Sequence, residues 1–224
     1  MTSDNTEERH PHNPLQDHEL EHDEVHEVVE FLRENGRSIA IAITIGVVAS
    51  LGLIFYRNSQ SQKRMYAARA LGGASSIEAL AAVAQDYSGT PSAPVAQLEK
   101  AARQFEMGEY QAATSSYEEF LAQNPEHEMA PAADVALALC AEARGENEEA
   151  LEILDGFLAK HPDNFMTPIA VFAQARVLGS LGRLDEERAI YEDFIASNPD
   201  SLWITQAETA LLSVKQRLRA ANEG

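Results

Sequence analysis

His18, His22 and His26 recur every four residues, with His10 and His12 just upstream. On a helix, imidazoles at that spacing share one face, and imidazole is the commonest transition-metal ligand. A weak transition-metal site is therefore one chemistry open to this segment. Acidic low-complexity tails also gather histidines without binding anything, and Pro11 and Pro14 oppose a helix at its start. We assign no metal ligands. Cys140 is the only cysteine, so the chain has no internal disulfide and no thiolate cluster. It stands in the alanine-rich stretch 136–143 and reads as a small buried apolar residue. His127 and His161 sit close to prolines, without a matching nucleophile or paired carboxylate. There is no glycine-rich phosphate loop and no H-E-x-x-H pair. The chain reads as a non-enzyme, with no catalytic residue, cofactor or small-molecule substrate.

Charge narrows the partners. The 224 residues carry a net charge of −19, and the distribution is uneven. Residues 1–30 hold ten acids and one base, residues 31–64 one acid and five bases, and the rest 25 acids and 11 bases. Such a surface repels phosphate backbones, which need clustered Lys and Arg to displace counterions, so nucleic acid is excluded. Hydrophobic residues reach 45% with only 7% aromatic, the profile of packed helices.

Residues 38–56 run for 19 positions without a charge, from Ser38 to Tyr56. As a helix they extend roughly 28 Å, close to the ~30 Å hydrocarbon core of a bilayer. Tyr56 ends the run as an interfacial aromatic should. A signal peptide is a poorer match: its leader would be long and acidic, its apolar core overlong, and no A-x-A site directly follows it. We expect a transmembrane helix in contact with the lipid bilayer. Ala42, Gly46 and Ser50 share one of its faces, and small residues at that spacing let another helix approach. Chance in an alanine-rich chain is the other, slightly better, reading of the stripe. Arg33 and Arg37 precede the run, while Arg57, Lys63, Arg64 and Arg69 follow it, so a count of bases places the C-terminal side in the cytoplasm.

A repeat fills residues 94–199. Gly108, Gly145 and Gly182 are 37 apart, as are Pro125, Pro162 and Pro199, and Pro94, Pro131 and Pro168. Apolar positions keep the step: Phe120, Phe157 and Phe194; Leu121, Leu158 and Ile195; Tyr117, Leu154 and Tyr191; Ala101, Ala138 and Ala175. A common period across that many columns marks a repeat architecture. Each unit reads as a helical hairpin: proline opens the first helix, glycine turns the chain, and the next proline stops the second helix. Helices of about 13 residues are marginal alone, so the hairpins must stack.

The flanks complete the organisation. Residues 1–22 are acidic and proline-containing and predict disorder. In 23–36, Val25, Val28, Val29 and Leu32 predict a short amphipathic helix ending at Gly36 and lying on the membrane surface. Residues 57–93 predict a connecting helix, a break at Gly72-Gly73 and a degenerate repeat containing Ile77, Leu80, Ala81, Val83 and Ala84. In 200–224, Trp203, Ala207, Ala210, Leu211, Val214 and Leu218 predict a capping helix.

The segment from Ala101 to Ala113, with its small–Gly–x–Tyr–x–x–Ala core, followed by Tyr117, Phe120 and Pro125, resembles the tetratricopeptide repeat. The period is three residues longer than in that family, and Glu187 replaces the small residue in the third unit. The fold expected is all-α: one transmembrane helix, then a tetratricopeptide-type α-solenoid of three 37-residue hairpins with a C-terminal capping helix. The resemblance implies a partner-binding groove on the first helix of each hairpin: Val95, Leu98, Ala102 and Phe105; Val135, Leu139 and Glu142; Phe172 and Arg176. A mainly apolar groove suits an extended or amphipathic segment, or is filled by the chain's own terminal helix.

The run from Val28 through Glu34-Asn35-Gly36-Arg37, the apolar span and Tyr56-Arg57 resembles the ancillary subunit family of the bacterial SecYEG translocon. The resemblance implies an inner-membrane, single-pass protein with a cytoplasmic N-terminus and a periplasmic repeat domain, against the count of bases. Implied partners are the SecYEG channel, periplasmic chaperones and nascent envelope proteins. The alternative reading is a scaffold for another envelope complex, in cell division or outer-membrane assembly.

Overall fold

The computed structural model describes residues 14–223 along the backbone, and side chains at residue 30 and from 33 onward. His10 and His12, and the side chains of His18, His22 and His26, lie outside the described residues. Among the described residues every regular element is a helix: α1 (Pro14–Gly73), α2 (Ile77–Asp86), α3 (Ser92–Glu106), α4 (Tyr110–Gln123), α5 (Ala130–Ala143), α6 (Asn147–Lys160), α7 (Thr167–Ser180), α8 (Leu184–Ser197) and α9 (Ile204–Glu223). The chain divides into two compact units, one reaching Ser61 and one starting at Gln62.

In the first unit, α1 starts at Pro14 and continues through Gly36, where the sequence pattern predicted disorder to residue 22 and a stop at Gly36. Proline is tolerated at a helix start because its missing N–H has no intrahelical partner there. An interior glycine costs only about 1 kcal/mol relative to alanine, which a long run of good helix formers absorbs. From Arg33 onward α1 is long and apolar enough to cross a membrane, and none of its apolar window is buried against protein. Ile43, Ile45, Val48, Leu51, Ile54 and Phe55 all stand exposed.

The second unit is the solenoid. The end of α1 and α2 form the degenerate hairpin: Ala67 is fully buried, and Ala70, Leu71 and Ala74 pack on Leu80, Val83 and Ala96. α1 ends at Gly73, and Ser76 caps α2 by accepting the Ala79 N–H at 3.1 Å. From α2 on, each helix packs against the next, and α5 also touches α7, as stacked hairpins require.

The turns inside the three hairpins repeat in chemical detail. Gly108, Gly145 and Gly182 have φ of 78°, 81° and 75°, the left-handed conformation open to glycine. In each, the residue after the glycine donates its N–H back to a carbonyl in the last turn of the first helix: Glu109 to Gln104 (2.9 Å), Glu146 to Ala141 (2.9 Å), Arg183 to Leu178 (2.9 Å). That is the Schellman end of a helix, which satisfies carbonyls the helix leaves free. Between hairpins, Asn124 and Asn198 close α4 and α8 through side-chain bonds to the Phe120 and Phe194 carbonyls.

Alanine columns set the helix spacing. Ala101, Ala138 and Ala175 on the first helices and Ala113 and Ala150 on the second are fully buried. The small residues let the two helices of a hairpin close on each other, and Phe120, Phe157 and Phe194 fill the space toward the next unit. Cys140 lies in this core as a fully buried thiol, its pKa raised mainly by burial.

Candidate functional site

The nine candidate groove residues separate by depth. Val95, Leu98, Ala102 and Phe105 on α3 and Leu139 on α5 are half-buried. Leu98 and Phe105 lean on the first hairpin's core, and the Phe105 ring lies 5.2 Å from that of Tyr110. Val135 and Phe172 lie deeper. Val135 is fully buried and Phe172 is 7% exposed, each within the core of its own hairpin. The reason is positional: with Leu98 they form a column that points between the hairpin's second helix and the following unit. Phe172 meets Tyr191, Phe194 and Trp203 there, with ring centroids 5.3–5.7 Å apart.

Glu142 and Arg176 are brought together. The Arg176 Nε and Nη2 donate to the two carboxylate oxygens of Glu142 at 2.5 and 2.6 Å, a bidentate pair joining α5 to α7. The bond to Glu142 raises the Arg176 pKa. With the Arg176 side chain 54% exposed, such a pair contributes about 1 kcal/mol or less to stability. It fixes the relation of two first helices, and it accounts for two charged residues in an otherwise apolar stripe.

Sequence reading did not foresee three polar contacts. Arg144, in the turn after α5, donates to the buried Thr114 hydroxyl of the preceding hairpin and pairs with Glu146. Gln97 exchanges hydrogen bonds with Gln123 and Asn124 across the first hairpin, at 2.7 and 3.1 Å. Arg217 on α9 donates to Glu187 Oε1 on α8 at 2.6 Å. The glutamate was visible as an exception to the small-residue column, but its partner lies outside the 37-residue columns that carried the reading.

Glu187 is 4% exposed, and its second oxygen, Oε2, is buried with no hydrogen-bond partner. It borders a cavity of ≈350 Å³ that Arg176, Gly179, Ser180, Gln206 and Arg217 also line. A wider cleft of ≈540 Å³ lies between Leu158, Pro162, Thr167, Val171, Ile190 and Phe194, at the junction of the second and third hairpins. His127 and His161 have structural roles: the Met129 N–H donates to His127 Nδ1 at 3.1 Å, and the rings pack on Phe120 and Phe157. Among the described residues no cluster of His, Cys, Asp and Glu is arranged to hold a metal. Ala42, Gly46 and Ser50 are exposed on α1, with open space over Gly46.

Solved structures share this arrangement. Nearly identical TPR-like repeats of a putative kinesin light chain from Podosopora anserina match with a TM-score of 0.55 at 21% identity, covering 75% of this chain and 88% of that one. A single-substitution variant of the same protein matches with a TM-score of 0.56, at the same identity and coverage. A tetratricopeptide repeat protein from Parabacteroides merdae matches with a TM-score of 0.53 at 16% identity, covering 71% of this chain and 61% of that one. No curated protein matches the sequence. Residues 30–216 match the model of the tetratricopeptide repeat-like domain, and the chain belongs to that family.

Proposed function

We propose that the chain is a membrane-anchored protein-interaction module ancillary to the SecYEG channel, holding its repeats in the periplasm to receive chaperones or translocating polypeptides. Tetratricopeptide-like solenoids are protein-interaction scaffolds, and the second unit is such a solenoid. The observation that carries the anchored part is the apolar stretch of α1. Its large side chains have no protein neighbours to bury them, so in water the helix would expose a continuous hydrocarbon surface. Lipid removes that penalty. The Glu34-Asn35-Gly36-Arg37 approach to the span supports the channel as neighbour, with the N-terminus in the cytoplasm.

In this reading the partner lies along the first helices, over Val95, Leu98, Ala102 and Phe105, then Leu139, and ends at the Glu142–Arg176 pair. Ala42, Gly46 and Ser50 present a face to a second membrane helix. Two measurements test the proposal. Protease added to intact inner-membrane vesicles reports which side carries Gly224. Crosslinking in membranes followed by mild-detergent capture should recover channel subunits. Recovery of cell-division or outer-membrane assembly proteins instead, with no channel subunit, would replace this reading by the scaffold alternative.

A further inference from the structure

We propose that the cleft between the second and third hairpins is a docking subsite for a large apolar side chain flanked by Lys or Arg in a bound polypeptide. The cleft has a volume of ≈540 Å³, and Leu158, Pro168, Val171 and Ile190 give it an apolar wall. All four are half-buried, so the fold leaves part of that wall uncovered. A concave, mainly apolar space of this size with a few polar groups at its edge is the usual form of a binding pocket. The loop that supplies Pro162, Asp163 and Asn164 also carries Phe165, which is 62% exposed and offers a second apolar contact to a segment lying there.

The preceding junction shows what opens the cleft. One 37-residue step back, His127, Asp134, Leu137 and His161 stand where the cleft has Asn164, Val171, Gln174 and Asn198. There the His127 and His161 rings pack on Phe120 and Phe157. Asn164 keeps the backbone bond of His127, accepting the Met166 N–H at 2.9 Å, but does so with a smaller group. Asn198 donates to the Phe194 carbonyl at 3.0 Å, and Gln174 to Asp155 at 2.6 Å. Two rings are thus replaced by carboxamides tied down by hydrogen bonds, and an acid by valine. The exchanges leave room and make the wall more apolar.

Charge at the rim sets what flanks the apolar side chain. Asp163 on the loop and Asp193 on α8 line the cleft, stand exposed and form no ion pair among the described residues. No base lines it. Two unpaired carboxylates at the mouth attract an ammonium or guanidinium and repel an acidic segment. None of the groove residues on the first helices lines this cleft, so it is a separate contact. The inference rests on the reading that the solenoid receives polypeptide.

The full chain in non-ionic detergent micelles is titrated into the fluorescently labelled peptide Gly-Ser-Lys-Leu-Lys-Ser-Gly, with anisotropy as the readout and empty micelles as the blank. The expected result is saturable binding, weaker by about tenfold when Glu replaces both lysines or Ser replaces the leucine. The same loss is expected when Asn164→His and Asn198→His are combined, which restores the rings of the preceding junction and fills the cleft. Asp163→Asn with Asp193→Asn should bring the Lys and Glu peptides to equal affinity. No saturable binding to the unsubstituted chain, whether water or a second copy of the chain fills the cleft, would overturn the proposal. So would undiminished binding in the histidine variant, or equal affinity of the unsubstituted chain for the Lys and Glu peptides. Binding lost in Leu139→Glu but kept in the histidine variant would move the peptide to the groove, overturning this inference while leaving the interaction reading intact. Capture of channel subunits is decided without the peptide, so the two readings fail separately.

Discussion

Replacing Gly145 and Gly156 separately by alanine should move stability in opposite directions. Both belong to the second hairpin, and at neither would an added Cβ meet another atom within 4 Å. Packing therefore drops out, and backbone conformation alone decides. Gly145 turns the chain at φ 81°, where an L-residue costs about 1–2 kcal/mol. The stiffer unfolded chain offsets about 0.4–1 kcal/mol of that, leaving a net loss of about 1 kcal/mol. Gly156 lies inside α6, where alanine gains about 0.5–1 kcal/mol over glycine. Urea unfolding of the full chain in micelles, followed by Trp203 emission, should separate the two variants by about 2 kcal/mol, with Gly156→Ala above the parent. Shifts of the same sign would refute the assignment of the glycine columns as left-handed turns.

The remaining predictions are brief. Phe120→Ala removes a fully buried ring between α4 and α5 and should cost about 3–5 kcal/mol in the same unfolding experiment. Burial raises the Tyr117 pKa to about 12, against about 10 in an unfolded chain. The folded state holds that proton longer, so the contribution is complete below about pH 10 and disappears as pH rises toward about 12. Subtracting the pH dependence of Tyr117→Phe from that of the parent, by thermal melts, should reveal a loss of about 2–3 kcal/mol confined to that window. Leu212→Glu should change stability by no more than about 0.5 kcal/mol, because the side chain is 63% exposed. The same charge at the fully buried equivalent, Ala138→Glu, should prevent cooperative unfolding or cost more than about 3 kcal/mol.

What the sequence disclosed was whatever recurs. The glycines, prolines, alanines and phenylalanines each perform one local task three times over, so the hairpins and their turn conformation followed from spacing alone. Groove residues were less legible. Leu98, Val135 and Phe172 occupy one column, and whether such a column faces a partner or the next hairpin depends on how helices rotate in the stack, which period does not encode. Polar contacts between units were hidden for a related reason. Glu142–Arg176 and Arg144–Thr114 join residues 34 and 30 apart, off the 37-residue step. The continuity of α1 through Gly36 was missed because a glycine preceded by an amphipathic run satisfies the rules for a helix end, yet its cost is small in a long helix.

The same columns run on into α9. Ala96, Ala133, Ala170 and Ala207 face the preceding unit and are buried in all four first helices, and Cys140, Val177 and Val214 face backward in three. The forward-facing columns behave differently. Ala101, Ala138 and Ala175 are fully buried, but their successor Leu212 is exposed; Leu98 is half-buried and Val135 and Phe172 are buried, but their successor Thr209 is exposed. In its register α9 is therefore the first helix of a fourth hairpin, with no second helix against it among the described residues. Its forward face has been made partly polar by Thr209, and Lys215 and Arg217 bind it laterally to Glu192 and Glu187 on α8 at 2.9 and 2.6 Å. Leu212 remains an exposed apolar side chain on that face, and Glu187, which anchors α9 through Arg217, also borders the cavity beside it.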